Sequence, residues 1–187
     1  MTIRSVMIVA ALLAGLSASA AAQTPTTKWI PYSPPDKSFS IEFPEQRPIS
    51  KVAPVKNADG TPSSVVIQQE TVQLSKDLIF SIFFKPLPRF TTPHTALADA
   101  IQPYEANYRV VRTETPTIDG AEMVHKWYAP AAGNTLLIET VIVATNSQLV
   151  YLNSYCKPEL MSGEISAMIA HFFKSFTLKG GVSDKKT

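Results

Sequence analysis

Three histidines and one cysteine are the side chains of this 187-residue chain best suited to ligate a metal or attack a substrate near neutral pH. His94, His125 and His171 stand far apart, and none has a second His or a Cys at metal-ligand spacing. The pattern points to no metal and no cofactor. His171 falls near the end of a helical pattern, where the helix dipole favours a cation. His125 lies in "AEMVHKWYA", whose alternation puts Met123, His125 and Trp127 on one strand face. A half-buried imidazole beside an indole is ordinary packing. The functional alternative is a ligand or partner surface formed by His125 and Trp127 with the neighbouring Tyr128.

Cys156 sits in "LVYLNSYCK". Alternation places it with Val150, Leu152 and Ser154, leaving Tyr151, Asn153 and Tyr155 on the other face. It reads as a small buried apolar residue. One cysteine closes no internal disulfide, so stability must come from a core. Nucleophile elbows of the G-x-S-x-G type are absent. The seven glycines fall mostly singly at turns, which excludes a glycine-rich phosphate loop. Asp and Glu are spread over turns and polar faces, so no catalytic residue is assigned. A hydrolase assembled from a distant Ser, His and acid ranks last among the readings.

Those side chains must be held by elements. The chain opens with Arg4, the apolar run "VMIVAALLAGL" and the small-residue segment "SASAAAQ", which predicts a secretory signal peptide over 1–22. The run is too short for a membrane span, which needs about 20 residues. No cysteine begins the mature chain to accept a lipid, so the expected location is periplasmic or secreted. Residues 23–28 read as a flexible lead, 29–178 as a single domain and 179–187 as a flexible charged tail. Formal net charge is +2, with Lys and Arg scattered. That argues against a nucleic-acid groove and against a polybasic membrane patch.

Within the domain, "WIPY" reads as an edge strand because Pro31 cannot donate to a ladder. In "SFSIEFP", Phe39, Ile41 and Phe43 alternate with polar residues, as a half-buried strand requires. The proline-containing stretch 44–62, with Asp59-Gly60, reads as loop or weak strand. Ser64–Leu74 is a strand, and "LIFSIFFK" (Leu78–Lys85) is apolar on both faces, which predicts a central strand covered on each side. Thr95–Tyr108 has helical spacing, with Thr95 as cap and a kink or fresh turn at Pro103. Val110–Ile118, Ala121–Ala129, Thr135–Thr145 and Leu149–Lys157 form an antiparallel meander. Glu159–Lys174 is a second helix, regular after Gly163 and striped by Ile165, Met168, Ile169, Phe172 and Phe173. "SFTL" is a last short strand. The class is α+β, an antiparallel sheet of about six to seven strands flanked by helices.

The two ends, "WIPYSPPDKSFSIEFPE" and "HFFKSFTL", resemble the PsbP-like (Mog1/PsbP) superfamily. The order of strands, helix, four-strand run and final helix agrees over Trp29–Leu178. The resemblance implies an α/β/α sandwich and a binding or accessory role rather than an enzyme. Its plant members assist the oxygen-evolving side of photosystem II, and another branch binds a small GTPase. No functional residue of those proteins maps onto this chain. The expectation is an exported, non-enzymatic accessory or interaction domain whose partner is another envelope protein. The alternative is a small apolar ligand-binding protein, with a pocket between sheet and helix lined by residues such as Trp127, Tyr128 or Phe173.

Overall fold

The computed structural model describes residues 27–56, 61–118, 120–130 and 135–179. The expected leader, most of the lead and tail, and the Asp59-Gly60 turn lie outside the described residues. In chain order the strands are β1 (Trp29–Tyr32), β2 (Phe39–Pro44), β3 (Ile49–Lys56), β4 (Pro62–Ser75) and β5 (Leu78–Pro86). Helix α1 (Pro93–Asn107) follows, then β6 (Arg109–Glu114), β7 (Ala121–Ala129), β8 (Leu137–Thr145) and β9 (Gln148–Cys156). A 3-10 turn over Pro158–Leu160 leads to α2 (Gly163–Lys174), and β10 (Thr177–Leu178) ends the described chain.

The strands divide into two antiparallel sheets. A seven-stranded sheet runs β3-β4-β5-β9-β8-β7-β6, and a three-stranded one runs β1-β2-β10. Strands β6 to β9 are the expected meander, linked by short connections. β1 occupies an edge, as Pro31 demands. The stretch read as loop or weak strand is edge strand β3, pairing only with β4 and exposing Ile49 and Val52.

One face of the large sheet is closed by the small sheet and α2. Phe39, Ile41 and Phe43 point inward at 0, 1 and 0 % exposure. They meet Phe80, Ile82, Leu152 and the α2 residues Met168, Ile169 and Phe172. Phe172 is the hinge pin of this core, its ring 5.1 Å from that of Phe80 and 5.5 Å from that of Phe43. α2 starts where Ser162 accepts from the Ile165 amide at 3.3 Å, and its last turn carries His171 and Lys174 toward the negative end of the dipole.

The opposite face is closed by α1, which lies over β7, β8 and β9. Its buried side is thin, Ala96 and Ala100, with half-buried Leu97, Ile101 and Tyr104 beside them. The cap is Thr92 rather than Thr95: Thr92 Oγ1 accepts from the Thr95 amide at 3.2 Å. Pro93 has no N–H to satisfy and takes the first helical position, so the helix begins earlier than periodicity suggested. It continues through Pro103 as one element. Lys126 pins it to the sheet, donating from Nζ to Glu105 Oε1 at 2.6 Å and to Thr113 Oγ1 at 3.2 Å. Because α1 sits over β7–β9, the α1-facing side of β5 is only partly covered. Ile79 and Phe83 stay half-buried, whereas Leu78, Phe80, Ile82 and Phe84 on the other side are buried. The expectation that both faces of this strand are sealed is corrected accordingly: apolar content marks a face, but the covering helix went elsewhere.

No helix among the described residues is long and apolar enough to cross a membrane.

Candidate functional site

Strand alternation on β7 aims Met123, His125 and Trp127 toward α2. His125 Nε2 lies 2.8 Å from Glu139 Oε1 on β8, and His125 Nδ1 lies 4.0 Å from Glu114 Oε2 on β6. Both ring nitrogens therefore face carboxylates, one in hydrogen-bond contact. The imidazole also packs against the Trp127 ring at 3.8 Å and the Phe173 ring at 5.4 Å. The Arg112 guanidinium stands 4.6 Å from the centroid of the Trp127 ring, a cation–π contact. Arg112 also pairs with Glu114. A register shift between Val110 and Arg112 brings Arg112 opposite Trp127 and Glu114 opposite His125. A bulge of this kind re-aims side chains at a sheet rim.

These groups border two adjoining cavities under α2. The outer, about 420 Å³, is lined by Met123, His125, Trp127, Glu139, Phe173 and Phe176, among others. The inner, about 250 Å³, runs past Trp127 and Glu139 to Met161, Ile169 and Cys156. Trp127 and Glu139 belong to both walls. The arrangement can receive an apolar or aromatic group against Trp127 and Phe173, with a His–Glu pair to orient a polar end.

Of the three residues singled out from sequence, His125 and Trp127 come together here. Tyr128 also borders the inner cavity, but its ring stacks on that of Tyr104 at 5.5 Å on the α1 side. Burial pushes its phenol above the ordinary range. Sequence reasoning missed Glu139, Glu114 and Arg112. Glu139 did carry a signal, being a lone charge within the apolar run "TLLIETVIVAT".

The remaining candidates have structural partners. His171 stacks on Trp29 at 3.8 Å and lies 2.7 Å from Glu42 Oε2, which ties α2 to β1 and β2. His94 lies 3.1 Å from Glu122 Oε2 at the surface. Cys156 is 1 % exposed, and its Sγ donates to Lys157 O at 3.4 Å. Burial pushes its thiol up, which disfavours the reactive thiolate. Labelling of Cys156 by a thiol reagent should therefore be slow in the native state and complete within the dead time in denaturant. Equal rates in both conditions would place the sulfur at the surface. Among the described residues, no group of three or more His, Cys, Asp or Glu is arranged to hold a metal ion.

No protein-family model and no curated protein matches the chain. Solved structures do. The solution structure of cyanobacterial PsbP (CyanoP) from Synechocystis sp. PCC 6803 aligns with a TM-score of 0.51 at 11 % identity, over 87 % of this chain and 99 % of that one. In this chain β1 and β10 flank β2 in the small sheet and the helices lie on both faces of the large one, and the chain has a PsbP-like α+β fold.

Proposed function

We propose that the chain is an exported, non-enzymatic interaction domain of the cell envelope, and that it docks another envelope protein through the groove between α2 and β6–β8. The observation that carries this reading is Trp127, half-buried, in contact with both Arg112 and His125 and shared by both cavities. Trp and Arg are the residues most often found to dominate interface energetics, above all where they wall a pocket. The PsbP-like fold and the leader-like opening support an accessory role outside the cytoplasm. His125 has both nitrogens directed at carboxylates, and Cys156 is held as a neutral buried thiol, which favours binding over turnover.

Replacing Trp127 with a photo-crosslinking phenylalanine analogue in cells should give a discrete adduct with one envelope protein. Trp127→Ala should weaken the purified pair at least about tenfold, the usual effect of truncating such an anchor. Adducts from the α1 face with none from position 127 would move the interface elsewhere.

A second reading rests on the outer cavity. Its volume of about 420 Å³ falls within the range of small-molecule sites, so the same groove suits a small apolar ligand. Native mass spectrometry of the purified protein separates the two: a co-purifying small molecule lost in Trp127→Ala favours the ligand.

A further inference from the structure

We infer that β6 is a dimerisation edge, on which a second copy of this chain lays its own β6 antiparallel, so that the two large sheets run on as one whatever occupies the groove under α2. An edge strand offers a row of unpaired N–H and C=O groups, and proteins blunt such edges with prolines, lysines or very short strands. Three of the four edges among the described residues are blunted in these ways. β1 carries Pro31, β10 is two residues long, and β3 carries Lys51, Pro54 and Lys56. β6, "RVVRTE", has neither proline nor lysine, pairs only with β7, and exposes Val110 and Val111 at 37 and 59 %.

The charges of β6 are complementary to themselves. Residues opposed across an antiparallel pair point to the same face. Arg109, Arg112 and Glu114 stand opposite Ala129, Trp127 and His125, so they share the groove side of the sheet. Val110 and Thr113 stand opposite Tyr128 and Lys126, on the α1 side. Laid against itself with all six residues overlapping, β6 sets Arg109 of each copy opposite Glu114 of the other, and Val110 opposite Thr113. Every one of these pairs joins residues of the same face, so both faces of the sheet continue across the junction. The register shift between Val110 and Arg112 falls at the centre. A bulge bends an edge away from a regular strand, but here each bulge meets its own copy.

The pairing also uses groups that are free to take part. Exposed Arg109 has no ion-pair partner among the described residues. Glu114 pairs with Arg112 through Oε1, while its Oε2 lies 4.0 Å from His125 Nδ1, too far for a hydrogen bond. Oε2 can therefore accept from the second copy's guanidinium, which would add a cation at the rim of each groove. One short strand buries less than the roughly 800 Å² per partner of a stable complex, so the dimer is weak and concentration-dependent.

Sedimentation velocity of the purified chain from about 10 to about 500 µM should show a reversible monomer–dimer equilibrium that weakens as salt is raised. Arg109→Glu and Glu114→Arg each set like charges against each other and should weaken self-association at least about tenfold. An equimolar mixture of the two variants restores both opposite-charge pairs and should dimerise within about threefold of the parent. Amide shifts of Phe43, Phe80 and Phe172 report that each variant is folded, and Arg109→Glu, outside both cavities, decides the matter alone should Glu114→Arg disturb the core. Diluting the parent should move the amides of Arg109 to Glu114. A chain that stays monomeric throughout, Arg109→Glu dimerising as tightly as the parent, a mixture of folded variants no tighter than either alone, or dilution shifts centred on β3 would each overturn the inference.

Discussion

Phe172→Ala is expected to lower the unfolding free energy by about 3–5 kcal/mol, the range for deleting a buried phenylalanine. The side chain is 0 % exposed. Its ring meets Phe43 of β2, Phe80 of β5 and its neighbour Phe173, so it joins the small sheet, the large sheet and α2 at one point. Removing it leaves a hole whose walls belong to three separate elements, which cannot collapse together without moving the helix. Native domains hold only about 5–15 kcal/mol in reserve, so the variant should unfold at a clearly lower urea concentration with an unchanged slope. Loss of less than about 1 kcal/mol would mean that α2 is not seated as described. Because Phe173 and Ala170 wall the outer cavity, the same variant should also lose binding in the groove.

The second large effect is expected at Asn153. Asn153→Ala removes the acceptor used by Tyr104 Oη and shared by Thr140 Oγ1, and it leaves a void beneath α1. An unsatisfied buried hydroxyl costs about 1–3 kcal/mol, and the void adds to it, so a loss of about 2–4 kcal/mol follows. Thr140 Oγ1 shares its one proton between Asn153 Oδ1 and Leu152 O and can turn it wholly to Leu152 O, 3.1 Å away, which limits the damage to one orphaned group. Tyr104→Phe is the matched comparison. It deletes the donor and keeps Asn153 Oδ1 occupied by Thr140, so about 1 kcal/mol is expected. Equal losses in the two variants, measured by urea unfolding, would remove Asn153 from the centre of this network.

Much of the scaffold was legible because a strand or helix declares its buried face locally. The alternation of Phe39, Ile41 and Phe43 corresponds to inward side chains, and the stripe Met168, Ile169, Phe172 to the buried side of α2. Alternation also puts Tyr128 on the strand face opposite His125 and Trp127, though the surface expected from sequence took in all three. It failed where the local signal was weak or shared. Thr92 and Thr95 are both competent caps, and only the placement of Pro93 decides between them. The segment Ile49–Lys56 carries one proline, two lysines and little burial, and it becomes a strand because β4 offers it a partner.

The candidate groove was legible only in half. His125 and Trp127 share a strand, so their common face follows from period two. Glu139, Glu114 and Arg112 reach them from β8 and β6, and which residue lands opposite which depends on the pairing register and on the bulge before Arg112.

The amino-acid order alone thus determined which faces are apolar, where helices and strands alternate, and the α+β class. The tertiary structure decided that the ten strands among the described residues part into two sheets, that α1 covers β7–β9 and leaves one side of β5 half open, and that His125 gains two carboxylate neighbours. The reason is physical. Periodicity records that a side chain must leave water, which is a property of a few consecutive residues. What it meets on leaving is set by strand pairing and helix docking, made by residues far apart in the chain and chosen by the packing of the whole.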